Sequence, residues 1–522
     1  MRRIWTWIWS LCCVAGVLLS QGGTGARAQE ADGLAAVAAI EQALVEAIAR
    51  AEQSVVSIAR IKRTAPQAGL NDLPGPFKIP RGEFDQDDPS NPDFIPTDFG
   101  SGVVIGVDQA PQRRTYILTN YHVVKGGTRH LQDEARTDEF QIHVKTANRR
   151  GFAAAIYAAD PRSDLAVLVI PDADLKPIKL GDGSKLKKGQ LVIALGNPYA
   201  SARDGSASAS WGMVSNIRRR PGFPRDPLDF EKRKRDTLHD LGDLIQVDTR
   251  LNLGTSGGAL INLKGDLVGL TTSLAALAGF EKSSGFAIPI DATTVRVIQT
   301  LREGKEVEYG FLGVSFGPSL RNHVFPSIEL PVSANPPEGA FVAGLVIGGP
   351  AERAGIQPRD IIVNVNGERV YTRDDLTREI NKLGPEIKAR ITVWRLTDAG
   401  GGGGANVSMD VVLAKWGATD EDSIVVSNPR YPPWRGLVID YSTARDKHNG
   451  DFINVPFPSG VLLLKIMPSV DAAQTELVEG NRIVRVNQRP VANPADFVDA
   501  VKDLRGDVNL QLDNGKRVTI HE

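Results

Sequence analysis

The chain is 522 residues long, 42% hydrophobic and 24% charged, with a formal net charge of −1. That balance excludes a membrane bundle, a disordered tail and a basic surface that would draw the whole protein to nucleic acid or anionic lipid. At about 150 residues per domain the length predicts three domains, not one.

Residues 1–28 read as a signal peptide. Arg2 and Arg3 precede an apolar run from Ile4 to Leu19, and Ala26-Arg27-Ala28 offers a cleavage site before Gln29. The run falls slightly short of the ~20 residues of a spanning helix, so cleavage is expected, with an uncleaved anchor as the alternative. Cys12 and Cys13 are the only cysteines and both lie here, so the exported protein is expected to carry neither thiol nor disulfide. Next, Leu34, Val37, Leu44, Val45 and Ile48 fall near one face at helical spacing, and Ser54 to Ala59 reads as a first strand. Lys62 to Asp98, rich in proline, glycine and aspartate, reads as a loop within a domain.

From Gly102 to Ile290, short apolar or β-branched runs alternate with turn residues and helix-length patterns are scarce. This predicts β-barrels and argues against strands alternating with helices around a parallel sheet. Ile217 to Asp240 interrupts the pattern with an arginine- and lysine-rich stretch. It reads as a solvated loop, with contact to a neighbouring subunit or an acidic substrate as alternatives.

The last two hundred residues hold a repeat. Asp360 to Leu383 aligns without a gap on Asn481 to Leu504. Each copy pairs a strand ending in Val-Asn with a helix opened by a cap, Thr372 with Asp375 in one and Asn493-Pro494 with Asp496 in the other. Two copies predict two small domains and not a solenoid. The glycine run Gly400 to Gly404 lies between two strand-like runs and reads as a hairpin tip inside the first copy. Asp513-Asn514-Gly515-Lys516 closes the equivalent hairpin in the second. Lys415 to Pro433 is the expected linker.

The chemistry centres on Asn252 to Leu260, where Ser256 stands between glycines on both sides. A serine hydroxyl needs a base to take its proton and donors to hold the oxyanion its attack creates. Glycines let backbone N–H groups approach a reacting carbonyl, although glycine-flanked serines also serve in plain turns. Gly254 to Gly258 satisfies G-x-S-x-G, but the α/β-hydrolase elbow needs its acid and histidine after the serine. Here the later histidines, His323, His448 and His521, lie in or near the repeats. The order histidine, aspartate, serine fits better: His122 follows a strand ending in Thr119-Asn120, and Asp164 stands at the mouth of an apolar strand. The seven histidines show no paired metal-ligand spacing such as H-E-x-x-H, so neither metal nor cofactor is expected.

Thr119 to Val124, Ser163 to Leu168, Leu195 to Tyr199 and Leu253 to Leu270 closely resemble the HtrA/Deg (DegP/DegQ-like) family of periplasmic serine endoproteases, and the repeats resemble its two PDZ domains. The resemblance implies a mostly β fold: a chymotrypsin-like double β-barrel over residues 29–300, a PDZ domain over 305–415 and a second over 434–522. It implies ATP-independent cleavage of unfolded or damaged proteins by a homotrimer or a higher oligomer of trimers, with C-terminal peptides bound at the PDZ domains and no nucleic acid. His122 is then the general base, Asp164 the group that orients it and Ser256 the nucleophile, with the N–H groups of Gly254 and Ser256 forming the oxyanion hole. Thr272, Ser273 and Leu274 would pair with substrate backbone and edge the specificity pocket.

Two departures bear on this. Thr255 stands where the family more often has asparagine, at a position contributing mainly backbone. Arg250, six residues before the serine, replaces the acidic group that selects basic side chains, which predicts cleavage after small or medium aliphatic residues. Phe311-Leu312-Gly313-Val314 fits the PDZ loop that cradles a peptide carboxylate. Trp434-Arg435-Gly436-Leu437 is a looser match, and Glu476 stands where the first copy has Gly355, so the second domain is either a binder or a structural arm. Two rival functions stay open: a chaperone or scaffold with negligible proteolysis, and a membrane-anchored stress-sensing protease.

Overall fold

The computed structural model describes residues 33–62, 98–108, 113–125, 140–171, 173–197, 205–219, 243–252, 254–272, 285–316, 336–397, 403–417, 424–444, 457–467 and 476–521. The expected signal segment, nearly all of the Lys62 to Asp98 loop, most of the basic insertion, and Ser273 and Leu274 lie outside the described residues.

A helix, α1, spans 33–51. Only the C-terminal end of its apolar face is covered: Ala47 and Ala51 join the barrel core with Leu44 and Ile48 against it, whereas Leu34 is 71% and Val37 65% exposed. Six antiparallel strands follow, β1 (Val55–Lys62), β2 (Asp98–Val107), β3 (Arg114–Asn120), β4 (Phe140–Thr146), β5 (Gly151–Asp160) and β6 (Leu165–Pro171). They run in the order β5-β4-β1-β2-β3-β6, and pairing of β5 with β6 closes the barrel. The run Leu165 to Ile170 is uniformly apolar because both faces of β6 are buried, Leu165 and Val167 in the core shared between the barrels and Ala166, Leu168 and Ile170 in a separate core of the first.

The second barrel comprises β7 (Leu191–Gly196), β8 (Ser208–Arg219), β9 (Leu244–Val247), β10 (Ala259–Ile261), β11 (Leu267–Thr272) and β12 (Gly285–Pro289), closed in the order β10-β11-β12-β9-β8-β7. One core runs between the barrels: Val103, Leu118 and Val167 from the first meet Ile193, Leu195, Leu270 and Ile288 from the second. Two further helices accompany the barrels. α2 (Tyr121–Lys125) leaves the end of β3. α3 (Ala292–Arg302), capped by the Asp291 carboxylate accepting from the Thr294 amide, buries Val297, Ile298 and Leu301 on that shared core.

The two repeats fold alike. In the first, a five-stranded path runs through Val314–Phe316, Ala340–Leu345, Ile361–Val365, Lys388–Leu396 and Gly404–Val412, with a helix over Arg373–Asn381. In the second the path is Leu437–Tyr441, Val461–Ile466, Arg482–Val486, Val508–Leu512 and Arg517–Ile520, with a helix over Pro494–Val501. The matching asparagines Asn366 and Asn487 both take left-handed backbone, with φ of 51° and 53°, at the turn after the strand. Leu396 pairs with Gly404, so the strands on either side of the glycine run are neighbours within the first repeat; Gly400 to Gly402 lie outside the described residues.

The segment expected as a linker packs against the first barrel where it is described. Val425 and Val426 add a short antiparallel strand to β5 at Ala159 and Ala158. The amides of Ser427 and Asn428 both donate to the Gly304 carbonyl, and Lys415 is 2% exposed. Its polar composition hides these partners, which come from distant parts of the chain.

Candidate active site

Asn120, the last residue of β3, is fully buried, and its side-chain amide donates to the Asp164 carbonyl at 3.2 Å. The Tyr121 amide donates to the same carbonyl at 2.9 Å, so the turn into α2 is tied to the turn before β6. Asp164 adopts left-handed backbone with φ of 51°, a conformation that aspartate tolerates better than most residues. Its carboxylate accepts from the His122 amide at 3.0 Å and sits 2.9 and 3.0 Å from His122 Nδ1. A carboxylate can only accept, so Nδ1 carries the proton and the neutral ring keeps its lone pair on Nε2. That Nε2 is buried and has no hydrogen-bond partner among the described residues. A ring held this way is a ready proton acceptor.

Ser256 sits in a loop whose peptides are individually held. Gly254 and Gly257 have φ of 94° and 80°, and both lack room for a side chain. A Cβ on Gly254 would lie 2.6 Å from the Asn197 carbonyl oxygen and from the Phe99 ring, and one on Gly257 would overlap the Ser101 carbonyl oxygen and Thr119 Oγ1. The Thr255 carbonyl accepts from the Gly258 amide at 2.9 Å and from Thr271 Oγ1 at 2.5 Å. Because that peptide is planar and trans, the Ser256 N–H faces the opposite way. Thr255 uses its hydroxyl to bond the Asn252 carbonyl at 2.7 Å, so threonine supports this loop from its own side chain.

Ser101, on β2, is the brace that sequence reasoning missed. Its amide donates to the Ser256 carbonyl at 2.8 Å and its hydroxyl to the Gly254 carbonyl at 2.7 Å, while the Asn197 amide donates to that hydroxyl at 2.9 Å. Thr119 Oγ1 donates in turn to the Ser101 carbonyl at 2.7 Å. The one sequence signal was a serine between two glycines inside an otherwise apolar strand. The neighbouring Gly100 brings the histidine and serine loops together: a Cβ there would lie 2.5 Å from the Val123 side chain and 3.2 Å from the Ser256 carbonyl oxygen.

Thr272 ends β11, 2% exposed, with Oγ1 lacking a partner among the described residues, which exclude Ser273 and Leu274. Arg250 is exposed and its amide donates to Ser210 Oγ at 3.3 Å. Behind it Leu251 packs toward Gly285, where an added Cβ would lie 2.6 Å from the leucine Cδ1. An apolar side chain, not a carboxylate, therefore lines this part of the barrel. No cluster of three or more metal-ligating side chains occurs among the described residues.

In the first repeat, Gly313 has φ of 79° and Val314–Phe316 is the edge strand of its sheet. The Leu312 carbonyl accepts from Ala351 at 2.9 Å and the Gly313 carbonyl from Val346 at 3.0 Å, so the loop's carbonyls are satisfied inward. In the second repeat the loop closes on itself: the amides and carbonyls of Trp434 and Leu437 exchange bonds of 3.0 and 2.8 Å, with positive φ at Arg435 and Gly436. Arg435 turns its guanidinium onto the carbonyls of Gly506, Ile520 and His521. Glu476 pairs with Lys516.

Residues 100–270 match the family model of the trypsin-like peptidase domain, and residues 341–395 that of the PDZ domain. The fold and these matches define the class: a serine endopeptidase of trypsin-like architecture carrying a PDZ domain. The chain is 30% identical over 408 residues to a probable periplasmic serine endoprotease DegP-like from Hahella chejuensis, spanning 78% of this chain and 75% of that one. It is 30% identical over 430 residues to a protein of the same description from Brucella suis, spanning 79% and 71%. Among solved structures it is similar to the HtrA-type protease AlgW with decapeptide, with a TM-score of 0.48 and 24% identity over 71% of this chain and 98% of that one. The chain belongs to the DegP-like family of periplasmic serine endoproteases. Among the described residues no helix is long and apolar enough to cross a membrane.

Proposed function

We propose that the protein degrades unfolded or damaged proteins in the periplasm without ATP, using Ser256 as nucleophile, His122 as general base and Asp164 as the group that holds the imidazole. The observation that carries this reading is the His122 ring, with Nδ1 paired to Asp164 and a buried Nε2 that meets no hydrogen-bond partner among the described residues. Nε2 takes the Ser256 proton as Oγ attacks the scissile carbonyl, and then returns it to the leaving amine. Asp164 keeps the ring in that tautomer and stabilises the imidazolium. The N–H groups of Gly254 and Ser256 receive the oxyanion, and the inward-held Thr255 carbonyl supports the orientation of the Ser256 donor. Thr272, with Ser273 and Leu274, pairs with substrate backbone, and the apolar wall at Leu251 supports cleavage after small or medium aliphatic residues.

The first PDZ domain captures chain ends at Phe311-Leu312-Gly313-Val314, where an extended peptide adds to the exposed sheet edge. The second repeat is a PDZ-like structural arm; its loop closed from Trp434 to Leu437 leaves less backbone to cradle a carboxylate. Residues 1–28 direct export and are removed. The protein works as a trimer or an assembly of trimers, a reading supported by the exposed apolar face of α1 and by Trp211, 61% exposed on β8.

The test is digestion of an unfolded casein-like substrate by the mature protein beside its Ser256→Ala twin, without ATP or added metal. Cleavage by the first alone supports the assignment. Cleavage by both removes Ser256 as nucleophile.

A further inference from the structure

The turn that presents Asp164, Asp160-Pro161-Arg162-Ser163-Asp164, is braced from outside the barrel that contains it. The Arg162 side chain is 12% exposed and spends its guanidinium on several partners at once. Nε donates to Asp160 Oδ1 at 2.9 Å, Nη2 to the Val307 carbonyl at 2.7 Å and to Glu306 Oε1 at 3.3 Å, and Nη1 to the Trp416 carbonyl at 3.5 Å. The ring of Tyr309 lies under the guanidinium at 4.7 Å. Asp160, 1% exposed, collects three donors: Arg162 Nε, the Ser163 amide at 3.1 Å and the Tyr309 hydroxyl at 2.5 Å. Burial and the Asp160 charge push the Tyr309 hydroxyl well up, which keeps it a donor.

All the outside anchors come from the junction that joins the second barrel to the PDZ domain and from that domain's far end. Glu306 also accepts from Lys415, which reaches Asp440 in the second repeat at 2.7 Å. A triad acid needs placement to a fraction of an ångström; Asn120, Tyr121 and His122 hold Asp164 from the β3 side, but within its own turn the left-handed Asp164 is tied only by a long 3.4 Å bond to the Pro161 carbonyl among the described residues. A planar five-donor fork locks such a turn in a way that an ammonium point charge cannot.

We infer that Arg162, acting through Asp160, is a positioning residue for Asp164, and that the barrel–PDZ junction holds the triad acid in register. This rests on the reading of Asp164 as the acid of the triad.

The experiment compares Arg162→Ala, Arg162→Lys and Tyr309→Phe with the parent full-length mature protein on a short fluorogenic peptide. The parent, Arg162 and Tyr309 rates are normalised to sites titrated by a fluorophosphonate probe, with the phosphonylation rate recorded separately, whereas the Ser256 and Asp164 controls are read per mole of folded protein. Both Arg162 variants should lose ~10- to 100-fold in kcat per titrated site with KM unchanged, the size expected when a catalytic group is displaced by about an ångström. Phosphonylation should slow in parallel, and Tyr309→Phe should show a smaller loss of the same kind. A purely structural role would lower Tm and the titratable fraction while leaving kcat per site at the parent value, and that result overturns the inference. If Arg162→Ala does not fold, the same split in Arg162→Lys and Tyr309→Phe decides. Asp164→Asn and Ser256→Ala run alongside: turnover surviving in those controls refutes the triad reading and this inference with it. Turnover lost in the controls but kept in the Arg162 series refutes the inference alone.

Discussion

Replacing Ser101 with alanine removes one oxygen from the interior between the two barrels. That oxygen is fully buried, donates to the Gly254 carbonyl at 2.7 Å and accepts from the Asn197 amide at 2.9 Å. The space left by one atom is too small for a bridging water. Two backbone groups therefore lose their partner, at ~1–3 kcal/mol each. Partial relaxation keeps the sum toward the low end, ~2–3 kcal/mol, which for a domain of this size lowers the midpoint of the protease transition by ~4–12 °C. The catalytic effect follows from the proposed role of Gly254 as an oxyanion donor: its carbonyl loses its anchor, which loosens the residue whose N–H, in the preceding peptide, would donate. Complete loss of one oxyanion donor costs ~100- to 1,000-fold in kcat, and a loosened one should cost ~10-fold with KM little changed. Calorimetry and peptide turnover, corrected for titratable sites, measure both quantities. A Ser101→Ala protein with parental melting and parental kcat would refute the idea that this hydroxyl braces the loop.

Gly257→Ala forces a Cβ into the Ser101 carbonyl and Thr119 hydroxyl at a left-handed φ of 80°, so it should cost ~3 kcal/mol or more, read as a collapsed protease transition in calorimetry. Asp164→Asn should keep the fold while lowering kcat by on the order of 10,000-fold through the wrong histidine tautomer; a loss shared equally with Tm would contradict that. At the PDZ helix, burial opposes ionisation of Asp375, but Arg378 and the Thr372 hydroxyl outweigh it and hold its carboxyl below the ordinary range. A depressed folded pKa contributes stability above the unfolded value of about 4 and loses it as pH falls further. The Tm difference between the parent and Asp375→Asn should therefore be largest near neutrality and shrink as pH drops through that window. Peptides ending in an apolar residue should raise turnover of a short reporter if they bind the active conformation better than the resting one; unchanged turnover at saturating peptide would leave tethering as the role of the domain.

Local signals carried far in this chain. Turn residues between short β-branched runs announced β-barrels, and the Val-Asn turns with their caps announced a repeated strand–helix unit, because those features depend on neighbours within a few residues. The residue types at His122, Asp164 and Ser256 were equally visible, each at a turn beside a strand. Their geometry was not. That Asp164 lies 2.9 Å from the His122 ring is a consequence of the pairing of β3 with β6, and Ser101 reaches Gly254 across 153 residues of sequence. The Arg162 fork spans 145 residues to Val307 and 254 to Trp416, while Val425 and Val426 of the expected linker pair with β5. Sequence alone determined that the chain would be mostly β, where the capped helices of the repeat would start, and which side chains were candidates for the proposed triad. Only the tertiary structure decided which of the buried polar groups face one another, since a serine or arginine has no local pattern that names a partner a hundred residues away. Burial then makes that choice of partner costly to leave unmet.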